Sequence, residues 1–250
     1  MAVLTGKVAI VTGAGQGVGA GIARAFAREG AKVALLGRTV GKCEAVAADI
    51  AGFGGEAIAV ACDVQHRDQI EASVAQVVDT WGRLDALVNN AQATTYASIR
   101  KLTDDDLHAM WEVGPLACFR FMQVCFPHLR ETGGNVINLG SGSGILPQPA
   151  MAGYAMTKEA LRTLSRVAAV EWGRFGVRVN VLCPLADSPG AQGFDDSTGA
   201  YEAVRAQVPL GKWGDAEADI GRAAVFLAGP DAGYVTGTTL MVDGGFTYLR

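Results

Sequence analysis

KVAIVTGAGQGVGAGIARAFAREG, residues 7–30, is the stretch on which the fold is read. The apolar run 7–12 has the length and β-branched content of a strand. It runs into glycines at alternate positions, Gly13, Gly15, Gly17 and Gly19. Beyond them Ile22, Ala23, Phe26 and Ala27 recur at helical spacing. Strand, glycine turn and helix form the first half of a βαβ unit. Glycines let such a turn take positive φ and let backbone N–H groups approach a ligand, and the helix N-terminus favours negative charge. The turn is therefore a candidate pyrophosphate cradle for a dinucleotide.

Outward from this unit, short apolar runs alternate with long helical patterns. Strands are expected at 7–12, 32–37, 57–63, 84–90, 135–141, 177–183 and 239–244, with helices at 17–29, 41–52, 67–81, 103–129, 152–174 and 215–228. Most of the strand runs are continuously apolar, as strands covered on both faces should be. The expected fold is α/β: a Rossmann-type doubly wound seven-stranded parallel sheet with helices on both faces. No break in composition divides the chain, so residues 1–250 read as one dinucleotide-binding and catalytic domain. The long irregular piece PLADSPGAQGFDDSTG (184–199) reads as a lid or a disordered segment.

Half of the 250 residues are hydrophobic and 18% are charged, which suits a large core. A net charge of −4 gives no basic footprint for nucleic acid. No apolar run is long enough to cross a bilayer, and the first residues lack a signal pattern, so a cytoplasmic protein is expected. Five scattered cysteines (Cys43, Cys62, Cys118, Cys125 and Cys183) form no C-x-x-C pair, and His66, His108 and His128 are far apart. Neither a disulfide framework nor a metal site is expected.

The end of the second strand reads LLGRT, with Gly37 where an acid would meet the ribose hydroxyls of NAD, and Arg38 next to it. A guanidinium there suits a 2′-phosphate, which favours NADP(H), with NAD(H) the alternative. Tyr154 and Lys158, in YAMTK, lie four residues apart on one helix face. A phenol is a poor acid–base group at neutral pH, but a neighbouring ammonium favours its phenolate. Ser141, at the end of the fifth strand, could hold a carbonyl or hydroxyl oxygen while Tyr154 exchanges its proton.

These motifs, together with CDV (62–64), NNA (89–91), RVN (178–180) and VDGG (242–245), resemble the short-chain dehydrogenases/reductases over nearly the whole length. The resemblance implies that Gly13, Gly17 and Gly19 shape the pyrophosphate turn and that Asp63 contacts adenine. Asn90 would lie near the cofactor, and Asn89 would be structural. It extends the cofactor set to Gly15, Gln16, Val18, Thr39, Val64, Ala91 and Pro184. Mechanistically it implies Tyr154 as general acid/base, Lys158 lowering its pKa and binding the nicotinamide ribose, and Ser141 orienting the substrate oxygen. A homotetramer or homodimer is also implied.

Three positions depart from the family pattern. NNAG reads NNAQ, with Gln92 at the glycine, and the Pro-Gly after the sixth strand reads Pro184-Leu185. The third lies in WEVGPLACF (111–119), where Gly114 takes the place of the family's active-site asparagine. Proline at 115 lacks an N–H, so the helix should bend and expose backbone carbonyls that could hold a relay water instead. These departures also admit a cofactor-binding sensor or scaffold with little catalysis as the alternative function.

The resemblance implies a substrate pocket built from Gly142, Ser143, Ile145, Leu146, Met151, Gln92, Thr94, Tyr96 and the 185–199 loop, part of a substrate loop near 185–210. It is mainly apolar and brings no Arg or Lys together, which points to a small neutral ketone or secondary alcohol. Thr103 before three aspartates reads as a helix N-cap. The run FRFMQVCF (119–126) reads as apolar nearly all round, hence as a subunit contact.

Overall fold

The computed structural model describes residues 2–189, 191–192 and 201–247. Seven strands form one parallel sheet: β1 (Val8–Thr12), β2 (Lys32–Gly37), β3 (Glu56–Ala61), β4 (Ala86–Asn89), β5 (Asn135–Leu139), β6 (Arg178–Pro184) and β7 (Thr239–Val242). Their order is β3-β2-β1-β4-β5-β6-β7, as a doubly wound Rossmann-type sheet requires. The order reverses between β1 and β4, and ligands of such sheets bind outside the carboxyl ends there.

The β-branched and leucine runs of β1 and β5 are buried at every position. One face of the sheet is covered by α1 (Gly17–Arg28), α2 (Val40–Gly52) and α8 (Arg222–Ala228), through side chains such as Phe26, Ile50 and Leu227. The other is covered by α3 (Arg67–Trp81), α5 (Ala117–Thr132) and α6 (Ala152–Trp172), through Ile70, Phe121 and Ala168. Phe26 and Phe121 are fully buried, and truncating either to alanine should cost about 3–5 kcal/mol. The strands at the two edges differ from the continuously buried pattern. In β3 both ends are exposed and in β7 every residue is half-buried, because an edge strand has a neighbour on one side only.

The helix expected over 103–129 consists of two α-helices joined by a wider turn. Thr103 and Asp106 form a reciprocal cap, with Asp106 N–H donating to Thr103 Oγ1 and Thr103 N–H to Asp106 Oδ2, both at 3.1 Å. This cap starts α4 (Asp104–Trp111), and a single π-helical turn, Glu112–Leu116, carries the chain into α5. Pro115 cannot donate to the ladder, and the N–H of Ala117 reaches back to the carbonyl of Glu112. The apolar-all-round reading of 119–126 does not hold. Phe121, Met122 and Cys125 point into the core, while Arg120 pairs with Glu112 at 2.8 Å and Gln123 accepts from Arg67 at 3.1 Å. Phe119 alone of those apolar residues is largely exposed, at 42%.

The last expected helix, 215–228, begins with a second π-helical turn, Ala216–Gly221, before α8. Asp215 Oδ1 caps it by accepting from the N–H groups of Glu217 and Ala218. A short helix, α7 (Tyr201–Arg205), follows β6. Of the expected 185–210 loop, positions 190 and 193–200 lie outside the described residues.

Candidate active site

The carboxyl ends of β1 and β4 are tied together at the point where the sheet order reverses. Thr12 Oγ1 accepts from the N–H groups of Asn90 and Ala91 at 2.9 and 3.0 Å. The Asn90 amide returns two bonds, to the carbonyls of Thr12 (2.9 Å) and Gly13 (3.1 Å). Gly13 and Gly17 have φ of 63° and 56°, which non-glycine residues seldom adopt. At Gly19 a Cβ would come within 2.5 Å of both Asn90 Nδ2 and the Gly13 carbonyl, so only glycine lets α1 approach the turn this closely. Asn89, next to Asn90, is buried and donates to Asn138 at 2.8 Å within the sheet.

Above this turn opens a cleft of about 440 Å³. Gly13, Gly15, Gln16, Gly17 and Val18 border it on the turn, and Arg38 and Thr39 border it after β2. Asp63, Val64, Asn90, Ala91, Tyr154 and Pro184 complete the expected set along it. Gly19 and Lys158 do not line the cleft; Gly19 packs beneath the turn and Lys158 borders a smaller cavity behind Tyr154. Asp63 Oδ1 accepts from Gln65 N–H at 3.1 Å, holding the bend before α3, whose N-cap residue is His66.

Lys42, which motif reading did not single out, also borders the cleft and donates to Gln16 Oε1 at 2.6 Å. It stands beside Arg38 and Thr39 because α2 begins at Val40. At Gly37 a Cβ would lie 2.9 Å from Cys43 Sγ, so an acidic side chain at this position would have to displace that buried thiol. A glycine cradle at a helix N-terminus with two cations, Arg38 and Lys42, on the same cleft suits a dinucleotide carrying an extra phosphate.

Ser141 follows β5, and Tyr154 and Lys158 stand one turn apart on α6. Lys158 is buried and donates from Nζ to the carbonyl of Leu139 at 2.7 Å. Its Nζ lies 5.4 Å from the centre of the Tyr154 ring. Burial lowers the Lys158 pKa to about 8, against the opposing pull of the Cys118 and Cys183 thiols. Burial likewise raises the Tyr154 phenol to about 12, while hydrogen bonds with Ser141 and Gln92 pull it down. Tyr154 is only half-buried in the cleft wall, so solvent moderates that rise. Ser141 Oγ also lies 2.7 Å from Ser143 Oγ.

A second cavity, of about 370 Å³, opens on the other side of Tyr154. Gln92, Thr94, Tyr96, Gly142, Ser143 and Met151 border it as expected, and so do Ser141, Leu185, Ser188 and Ala191. Ile145 and Leu146 do not border it, and Leu146 is 41% exposed instead. Gln148, Trp213, Phe246 and Thr247 complete the wall. Phe246 and Thr247 follow β7 and Trp213 follows α7, so only the folded chain brings them beside Ser141. Among the described residues no Lys or Arg borders this cavity, and its one carboxylate, Asp243, accepts from the N–H groups of Gly245 and Thr247 at 3.0 and 2.8 Å.

The small cavity behind Tyr154 measures about 10 Å³, at the lower limit for one water molecule. Gly114, Pro115, Cys118, Lys158 and Gln92 border it. Gln92 also meets the phenol directly: Tyr154 Oη donates to Gln92 Oε1 at 3.2 Å. Among the described residues, no helix is long and apolar enough to cross a membrane, and no cluster of side chains could hold a metal ion.

A family model described as enoyl-(acyl carrier protein) reductase matches residues 13–247. The chain is 40% identical to a 12alpha-hydroxysteroid dehydrogenase of Clostridium sp., covering 98% of both chains. It is 33% identical to a D-threitol dehydrogenase of Mycolicibacterium smegmatis, covering 98% of this chain and 94% of that one. Among solved structures, a short-chain dehydrogenase/reductase of Serratia marcescens superposes with a TM-score of 0.91 at 34% identity, covering 98% of this chain and all of the other. A short chain dehydrogenase of Burkholderia cenocepacia in complex with NADP gives 0.90 at 33% identity, covering 98% and 99%.

Proposed function

Because this chain belongs to the short-chain dehydrogenase/reductase family, we propose that it interconverts a small neutral ketone and its secondary alcohol, with Tyr154 as general acid/base. The observation that carries this reading is the position of Tyr154: its side chain forms part of the wall between the cleft above the glycine turn and the second cavity. A nicotinamide dinucleotide in the first cleft supplies or takes up the hydride. The chain's own groups do the rest. Tyr154 Oη gives its proton to the substrate oxygen in reduction and takes it back in oxidation. Ser141 holds that oxygen by hydrogen bond. Lys158, as a cation beside the ring, favours the phenolate.

NADP(H) is preferred over NAD(H) in this reading, through Arg38 and Lys42 bordering the cleft and the thiol that backs Gly37. A neutral substrate follows from the absence of Lys and Arg around the second cavity among the described residues. The names of the relatives, which span a steroid and a polyol dehydrogenase, support an alcohol or carbonyl group and leave the carbon skeleton open. Residues 1–250 act as one catalytic unit, with Leu185, Ser188 and Ala191 after β6 bordering the substrate cavity. The backbone around Gly114 supplies the site of a relay water in the small cavity beside Lys158. Exposed Phe119 on α5, with Met156, Val167 and Val170 on α6, provides the surface for a homodimer or homotetramer in the cytoplasm. A panel of ketones and alcohols followed by nicotinamide absorbance with each cofactor tests the reading. Turnover of none of them would overturn it.

A further inference from the structure

Three spaces meet at Tyr154: the cleft above the glycine turn, the second cavity, and the small cavity that Lys158 borders. Among the described residues, only Tyr154 itself and Gln92 border all three. Gln92 is also the side chain whose amide meets the phenol, at 3.2 Å. It follows Asn90 and Ala91, which Thr12 pins to the end of β1, so the chain leading into Gln92 is anchored there.

An amide has two unlike ends. Its oxygen accepts from a phenol O–H, as in this structure, and its NH₂ can donate to a phenolate after the terminal torsion rotates by half a turn. The second bond is charge-assisted and roughly twice as strong as the first. Both are available within one side chain that needs no backbone movement.

We infer that Gln92 is a positioning residue for the acid/base: its amide oxygen holds Tyr154 while protonated, and its NH₂ turns to hold the phenolate once the proton has gone to substrate. The proton itself passes only between Tyr154 Oη and the substrate oxygen, and Gln92 neither gains nor loses one. The remaining titratable neighbours of Tyr154 are Lys158 on its own helix, Cys118 on α5, Cys183 on β6, Tyr96 after β4 and Asp243 after β7. None of these carries an amide that could serve both protonation states.

This inference rests on the assignment of Tyr154 as acid/base. Its test is the pH profile of kcat/KM for alcohol oxidation in wild type, Gln92→Leu and Gln92→Glu, with cofactor dissociation constants measured by fluorescence alongside. Oxidation needs the phenolate, so the rate rises with pH through the Tyr154 titration. Gln92→Leu should move that limb up by about half to one pH unit, the worth of one hydrogen bond. It should slow oxidation about three- to tenfold below the limb, with little change above it. Gln92→Glu, which accepts from the phenol but repels the phenolate, should move the limb further. Cofactor affinity, measured alongside, separates any change at the dinucleotide cleft that Gln92 borders from the movement of the limb. An unmoved limb in Gln92→Leu, or a loss equal at every pH, would overturn the positioning role. Retained turnover in Tyr154→Phe would instead overturn the assignment beneath it.

Discussion

The ammonium of Lys158 lies 5.4 Å from the centre of the Tyr154 ring and donates to the Leu139 carbonyl at 2.7 Å. Tyr154 and Lys158 are thus held on one helix face against the end of β5, with burial working against charge on both. The lysine is shifted down to about 8 and the phenol up to about 12. The acid–base couple is therefore costly for the fold when charged, and that cost has a sign that can be measured.

The folded-state pKa of Lys158, about 8, lies below its ordinary value of 10.5. Below pH 8 both folded and unfolded chains carry the proton, and the folded chain bears the full penalty. Between pH 8 and 10.5 the unfolded chain binds more protons, so stability rises with pH. Relative to Lys158→Met, the cofactor-free wild type should gain on the order of 3 kcal/mol across this window. Urea unfolding of the two proteins at pH 7.5 and at pH 10 checks it, and a constant difference would contradict the burial of a charged lysine.

Arg38 and Lys42 border the same end of the cleft, and Gly37 is backed by Cys43 at 2.9 Å from where a Cβ would stand. Removing a guanidinium that bonds a phosphate should cost about 1.5–3 kcal/mol. Arg38→Ala is therefore expected to weaken NADP(H) binding about tenfold or more and NAD(H) binding by less than about threefold. Titration of both cofactors by fluorescence decides it, and equal losses would remove Arg38 as a source of NADP(H) preference.

A Cβ at Gly114 would meet only Thr157, at 3.8 Å, so Gly114→Asn should fold normally. With the π-helical turn already placing Gly114 beside the small cavity, the asparagine should leave turnover within about tenfold of wild type. A larger rise at unchanged stability would show that the native proton relay is deficient.

Val170 is 85% exposed and Val167 and Met156 about half exposed along α6. Sedimentation should find a dimer or tetramer, and Val170→Glu should shift it toward monomer. A wild-type monomer at every concentration would remove the subunit contact from the account.

Much of this was legible in the chain. Each of the seven strands lies within two residues at either end of its apolar run, because strands in parallel sheets are buried on both faces and leave a continuous signal. The edges β3 and β7 escaped that rule, since exposure depends on neighbours the local sequence does not name. The Gly114-Pro115 pair announced an irregular turn, but its π-helical form depends on how Ala117 finds a carbonyl across the missing N–H. FRFMQVCF misled because composition without register cannot say which face Phe121 and Cys125 take. In the site, the glycine turn, Ser141 and the Tyr154–Lys158 pair were visible by spacing. Lys42, the thiol behind Gly37 and the bond from Tyr154 to Gln92 were not, because each joins segments far apart in the chain.

The most direct test of the central claim is the turnover of Tyr154→Phe, measured by nicotinamide absorbance on any ketone or alcohol the wild type accepts, with cofactor affinity measured in parallel. Loss of the phenolic proton should lower kcat by about a hundredfold to ten-thousandfold while cofactor binding stays close to wild type. Turnover within about threefold of wild type would contradict Tyr154 as the general acid/base.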